Sequence, residues 1–217
     1  MRHIIDLSHP ITAGMPVYHG DPEVRCNMVG AIKDSGYNIT ELVMGTHTGT
    51  HMDAPRHCIH TDQGVDSLPL EAMIGWAEVL DVGEKLPCSE ITSADLDVFA
   101  DRVVEGSRVL IRTGWGKRFG SPEFFTDFPD LSEGAALWLT KRKIALLALE
   151  QPSVHRKNHV DVHKLLLSTG VVLIESAANM DQITQDRVYM VALPLRLAGL
   201  DGSPIRLIAI EGMSDSE

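Results

Sequence analysis

The sequence predicts a mixed α/β fold: one domain over residues 1–217, with a mixed β-sheet core and flanking helices. Short Val- and Ile-rich runs outnumber helical patterns, and several of those runs are apolar without alternation, so both of their faces should be covered. Neither a repeat nor a Pro/Gly/Ser-rich linker divides the chain.

In chain order, strands are expected at His3–Leu7, Ile39–Met44, Ala77–Val82, Arg108–Arg112, Ile144–Leu149, Val171–Glu175, Tyr189–Leu193 and Ile205–Ile210. Helices fall between them. Thr92 or Ser93 can cap one running to about Val103, Ser132 can cap one through Leu137 and Lys141, and Val160–Ser168 reads as a third, stopped at Gly170. The last two strands flank Gly199-Leu200-Asp201-Gly202, which reads as a hairpin with a longer loop, and this pair is expected to close the sheet.

Composition narrows the function. Lys and Arg number 19 against 30 Asp and Glu, a formal charge of −11 that repels phosphate backbones and anionic lipid. Nucleic acid and membrane are therefore poor partners, and a small-molecule substrate is the better expectation. No apolar run is long enough for a membrane span, and the opening MRHIIDLSHP lacks signal-peptide features, so a cytoplasmic location is expected. Cys26, Cys58 and Cys88 form no CxxC pair and are odd in number, which argues against a disulfide framework. Cys58 beside His57 raises a thiol nucleophile, although sequence neighbours in an extended segment point apart.

The most informative stretch is Gly45-Thr46-His47-Thr48-Gly49-Thr50-His51-Met52-Asp53-Ala54-Pro55-Arg56-His57. Imidazole nitrogen with carboxylate oxygen suits a divalent ion such as zinc, manganese or iron, and three protein ligands, His47, His51 and Asp53, would leave positions open for catalysis. A helix would turn Asp53 away from His47 and His51, whereas a straight strand would separate His47 from Asp53 by roughly 20 Å. The chain must coil back on itself, which Gly45, Gly49 and Pro55 permit.

These residues resemble a family. His-x-Gly-x-His-x-Asp-x-Pro-x-His is the signature of the cyclase-family metal hydrolases, which include bacterial kynurenine formamidase and isatin hydrolase, and every fixed position is present. The opening DLSHPITAGMPVYHGDP and the closing ALPLRLAGLDGSPIRLIAI are similar to the family's ends, so the resemblance spans nearly the whole chain. It implies a swivelling β/β/α-type fold and His47, His51 and Asp53 as metal ligands, with Asp53 able to bridge two ions. His57 would be the catalytic acid/base, His163 and Glu175 would complete the metal centre, and Tyr18 would stand where formamidases carry a substrate-contacting Trp. The ion would be Zn or Mn, one or two per subunit, and the assembly a homodimer or homotetramer. Two departures stand out. Glu150 replaces a shorter acid, which could reshape the substrate pocket, and Ser176 stands where kynurenine formamidases carry Gly or Asn. His155 and His159 read as solvated loop histidines, with a pocket contact the alternative for either.

The expected activity is that of an amidohydrolase using metal-bound hydroxide on the C–N bond of a small aromatic or cyclic amide, with N-formylkynurenine the first candidate substrate. Opening of an isatin-like lactam is the alternative within the class. A metal- or ligand-binding module without turnover is the alternative outside it, disfavoured by His57, which such a module would not need.

Overall fold

A strand without a polar residue needs cover on both faces. The run Leu146–Leu149 has it, because Leu146 and Ala148 enter one apolar cluster while Leu147 and Leu149 enter another. The computed structural model describes residues 2–214. Its strands are β1 (His3–Asp6), β2 (Arg25–Gly30), β3 (Ile39–Val43), β4 (His51–Asp53), β5 (Ile74–Asp81), β6 (Glu90–Ile91), β7 (Arg108–Arg112), β8 (Asp130–Leu131), β9 (Leu146–Leu149), β10 (Val172–Glu175), β11 (Arg187–Pro194) and β12 (Gly202–Glu211). The helices are α1 (Ile32–Ser35), α2 (Leu70–Met73), α3 (Ser93–Asp97), α4 (Glu133–Lys141) and α5 (His159–Leu167).

The main sheet has eight strands in the order β1-β12-β11-β5-β7-β9-β10-β4, and β12 also pairs with β4, so the sheet closes on itself. It is mixed as expected: β5, β7, β9 and β10 run parallel to their neighbours in that group, while β1, β4, β11 and β12 pair antiparallel. On one face Leu110, Ala148, Ile174, Met190 and Leu207 share a cluster. On the other, Ile111, Leu147 and Leu173 pack with Ala136 and Leu139 of α4 and Val162 and Leu166 of α5. No helix of the described residues is long and apolar enough to cross a membrane.

The expected caps are present. Thr92 and Asp95 form a reciprocal capping box on α3, and Ser132 Oγ accepts from Ala135 N at 3.1 Å to start α4. The helix expected to reach Val103 ends at Asp97, and tighter turns then carry the chain onward, Phe99 N donating to Leu96 O and Arg102 N to Phe99 O. The strand expected at Ile39–Met44 exists as β3, but it pairs with β2 in a separate two-stranded ribbon exposed along almost its whole length. Sequence reading passed over β2 and β4. The first has no buried face to impose alternation, and the second is three residues long.

Candidate metal centre

The alternation of strand side chains builds the centre. Met52 of β4 enters the cluster that holds Ile174, so His51 and Asp53 must point to the opposite, helix-facing side. β10 runs antiparallel to β4 with Glu175 opposite His51 and Leu173 opposite Asp53, which puts the Glu175 carboxylate on the same side as both. On that side α5 supplies His163, one helical turn after His159 and buried like Val162 and Leu166. His47 arrives through the turn before β4, where Gly49 takes φ +64°, a left-handed conformation that suits a residue without Cβ. His57 ends the 3-10 turn opened by Pro55.

The coiling predicted for residues 45–57 is thus observed, and it brings His47, His51, Asp53, His57, His163 and Glu175 together. His51 Nε2 lies 3.5 Å from both Asp53 Oδ1 and Glu175 Oε2. His163 Nε2 lies 3.3 Å from Asp53 Oδ2 and 3.2 Å from Glu175 Oε1. The ring centroids of His57 are 4.2 Å from His47 and 5.1 Å from His163.

Among the described residues three groups each bring their possible ligand atoms within 4.8 Å of one another: His51 with Asp53 and Glu175, His47 with Asp53 and His57, and His57 with Cys58 and His163. Asp53 is common to the first two.

The outward hydrogen bonds fix which atoms face inward. His51 Nδ1 lies 2.9 Å from Gly49 O, and His163 Nδ1 2.7 Å from His159 O. A carbonyl can only accept, so each Nδ1 donates outward and each Nε2 is the atom turned toward the carboxylates. Buried polar atoms ordinarily find a partner, yet Asp53 Oδ2, His163 Nε2 and Glu175 Oε1 have no hydrogen bond although they converge. A divalent cation satisfies all three at once, and oxygen with imidazole nitrogen is its ordinary donor set, so these residues fit the group.

Charge follows geometry. Burial opposes ionisation of Asp53, but the imidazoles of His163 and His47 overcome it and hold the carboxyl well below its usual range. For His47, burial works against the charged ring, while hydrogen bonds with Asp201 and Asp53 outweigh it and hold the imidazole up at about 10. Burial pushes His57 below the usual imidazole range, and it pushes the Cys58 thiol up, away from the thiolate that a cysteine nucleophile requires.

Next to the cluster is a cavity of 190 Å³ lined by His47, His51, His57, His163 and Glu175 together with Val17, Tyr18, Phe125 and Pro152. Tyr18 lines this cavity with its ring edge-on to Phe125 at 6.1 Å. Asp21, Ser153 and Phe125 also line the cavity, and sequence reading gave no signal for Ser153 or Phe125. Three expectations change here. His159, read as solvated, is exposed yet borders the cavity. His155 is not freely solvated: its Nδ1 accepts from Lys157 N and Asn158 N, both at 3.1 Å. Glu150 does not shape the pocket, because its Oε2 turns away to accept from Thr113 N at 2.5 Å, Thr113 Oγ1 at 2.8 Å and Gly114 N at 2.7 Å. Ser176, beside Glu175, takes φ +55°, a conformation easier for Gly and Asn, which gives those residue types a backbone reason at this position.

The Cyclase family model matches residues 5–156. Over 213 residues the chain is 30% identical to the kynurenine formamidase of Salinibacter ruber (strain DSM 13855 / M31), with 94% of this chain and 96% of that protein covered. Isatin hydrolase A from Labrenzia aggregata, solved with benzyl benzoate, shares the fold with a TM-score of 0.85 at 25% identity, covering 96% of this chain and 93% of that one. A solved potential metal-dependent hydrolase with cyclase activity gives 0.83 at 28% identity over 99% of this chain and 100% of the other.

Proposed function

The chain belongs to the cyclase family, and from that premise we propose that it hydrolyses the C–N bond of a small aromatic amide, N-formylkynurenine being the first substrate to try. It is a hydrolase of amide C–N bonds other than peptide bonds. The observation that carries the metal reading is the convergence of Asp53 Oδ2, His163 Nε2 and Glu175 Oε1, buried and without hydrogen bonds. His47, His51 and Asp53, with His163 and Glu175, would hold one or two ions of Zn or Mn. Such an ion, when bound, supplies Lewis-acid polarisation of a carbonyl and activation of water.

The chain's own groups do the rest. Among the described residues no side-chain hydrogen bond ties the His57 imidazole, unlike those of His47, His51 and His163, so His57 is the histidine able to take a proton and return it to a leaving nitrogen. Tyr18 and Phe125 offer ring faces and edges to an aromatic substrate and keep water from that side of the cavity. The β2–β3 ribbon, with Met28, Val29, Ile39 and Leu42 exposed, supports a homo-oligomer, which light scattering would test.

The deciding experiment measures metal content together with hydrolysis of N-formylkynurenine and of isatin, in wild type and in His51→Ala. Bound metal and formamidase activity, both lost in the variant, are the expected result. Activity on isatin alone would move the substrate to cyclic amides, and full activity without metal would overturn the reading.

A further inference from the structure

Each metal-facing imidazole is held from behind. For His51 and His163 the holder is a backbone carbonyl, of Gly49 and His159, which no side-chain substitution removes. For His47 it is a side chain: Nε2 lies 2.9 Å from Asp201 Oδ2, while Nδ1 lies 2.9 Å from Asp53 Oδ1. We infer that Asp201 is a positioning residue that accepts the Nε2 proton of His47 and thereby turns Nδ1, as the donor atom, toward Asp53 and the cation site. The inference rests on reading the cluster as a metal centre.

The surroundings of Asp201 suit this role. Thr46 Oγ1 donates to both of its carboxylate oxygens, at 3.2 and 3.3 Å, and so fixes the plane in which they meet the imidazole. Its backbone is fixed too, because Asp201 O accepts from Ala54 N at 2.9 Å, directly after Asp53. On the next residue the ring has no room to spare. A Cβ on Gly202 would lie 2.8 Å from His47 Cε1 and 2.9 Å from Met52 O, so the imidazole packs on bare backbone and is restrained in that direction. An anchored carboxylate behind a ligating histidine sets the tautomer and raises the basicity of the inward nitrogen. The hairpin loop between β11 and β12 thus reaches the metal centre through a single side chain.

The test is zinc affinity of the metal-free full chain, by competition with a chromophoric chelator, for wild type, Asp201→Asn and Asp201→Ala. Long-range proton–nitrogen NMR of the zinc-loaded wild type then reads the His47 tautomer. We expect about a 10- to 100-fold loss of affinity in Asp201→Ala, a smaller loss in Asp201→Asn, whose amide oxygen still accepts, and a proton on Nε2 of His47. Thermal melts of the metal-free proteins check that both variants are folded. Wild-type affinity in Asp201→Ala, or a proton on Nδ1 of zinc-loaded wild type, overturns the inference. Absence of zinc binding by the wild type would sink the metal reading itself, and this inference with it.

Discussion

Glu150 and Glu175 stand at the ends of neighbouring parallel strands, β9 and β10, and each is almost completely buried. Their surroundings differ. Glu150 is met by the backbone and hydroxyl donors of Thr113 and Gly114, which satisfy its Oε2 and tie the end of β9 to the loop after β7. Glu175 is met by the Nε2 atoms of His51 and His163 and lies beside a second buried carboxylate, Asp53, and one of its oxygens has no hydrogen bond. A buried carboxylate supplied with backbone and hydroxyl donors belongs to the scaffold; one grouped with imidazoles and a second carboxylate, an oxygen left without a hydrogen bond, suits a cation. Position on the sheet cannot separate the two roles, but the partners can.

The comparison breaks most visibly at Glu175. Glu175→Ala should lose bound metal and lower amide hydrolysis by about a thousandfold, on the scale of several kcal/mol that a Lewis acid contributes. Metal analysis beside a rate assay would show it, and full metal occupancy in the variant would make Glu175 another Glu150. The reciprocal substitution, Glu150→Ala, leaves the Thr113 and Gly114 donors unpaired and should cost about 3 kcal/mol. In a chain of this size that lowers Tm by roughly 10 °C, with metal per folded molecule unchanged.

Glu211 sharpens the scaffold side. Burial would raise its pKa, but hydrogen bonds from Thr184 N at 2.6 Å and Gln185 N at 3.0 Å prevail and hold it low. Its stabilisation, roughly 2 kcal/mol, is therefore present above the unfolded carboxyl pKa of about 4.3 and fades as pH falls through the lower folded value. Glu211→Gln should consequently flatten the acid limb of a stability–pH curve, and an unchanged limb would place the acid sensitivity elsewhere. The smallest effect belongs to Ser176. Replacing it by Gly should relieve about 1 kcal/mol of left-handed strain, seen as a small rise in Tm.

Much of this was legible where interacting residues are near one another in sequence. The segment His47–His57 carries its ligand types and its coiling glycines and proline within eleven residues, and the continuous apolar runs of β9 and β10 announce sheet strands covered on both faces. His163 and Glu175 required the family resemblance, because only the β4–β10 register and the packing of α5 bring them to His51. Asp201 left no sequence signal beyond its turn, since its meeting with His47 depends on β12 pairing with β4. Glu150 was misread because its partners are mostly backbone groups, which composition does not reveal.

That pairing has a consequence for the order of events in synthesis. β4 is complete early in the chain, but one of its edges waits for β10 and the other for Gly202–Pro204, far downstream in sequence. Contacts so distant in sequence are slow to form. A nascent chain can hold His47, His51 and Asp53 and still present no finished centre, so stable loading with metal becomes a late event, and a chain cut short before its closing hairpin stays inert.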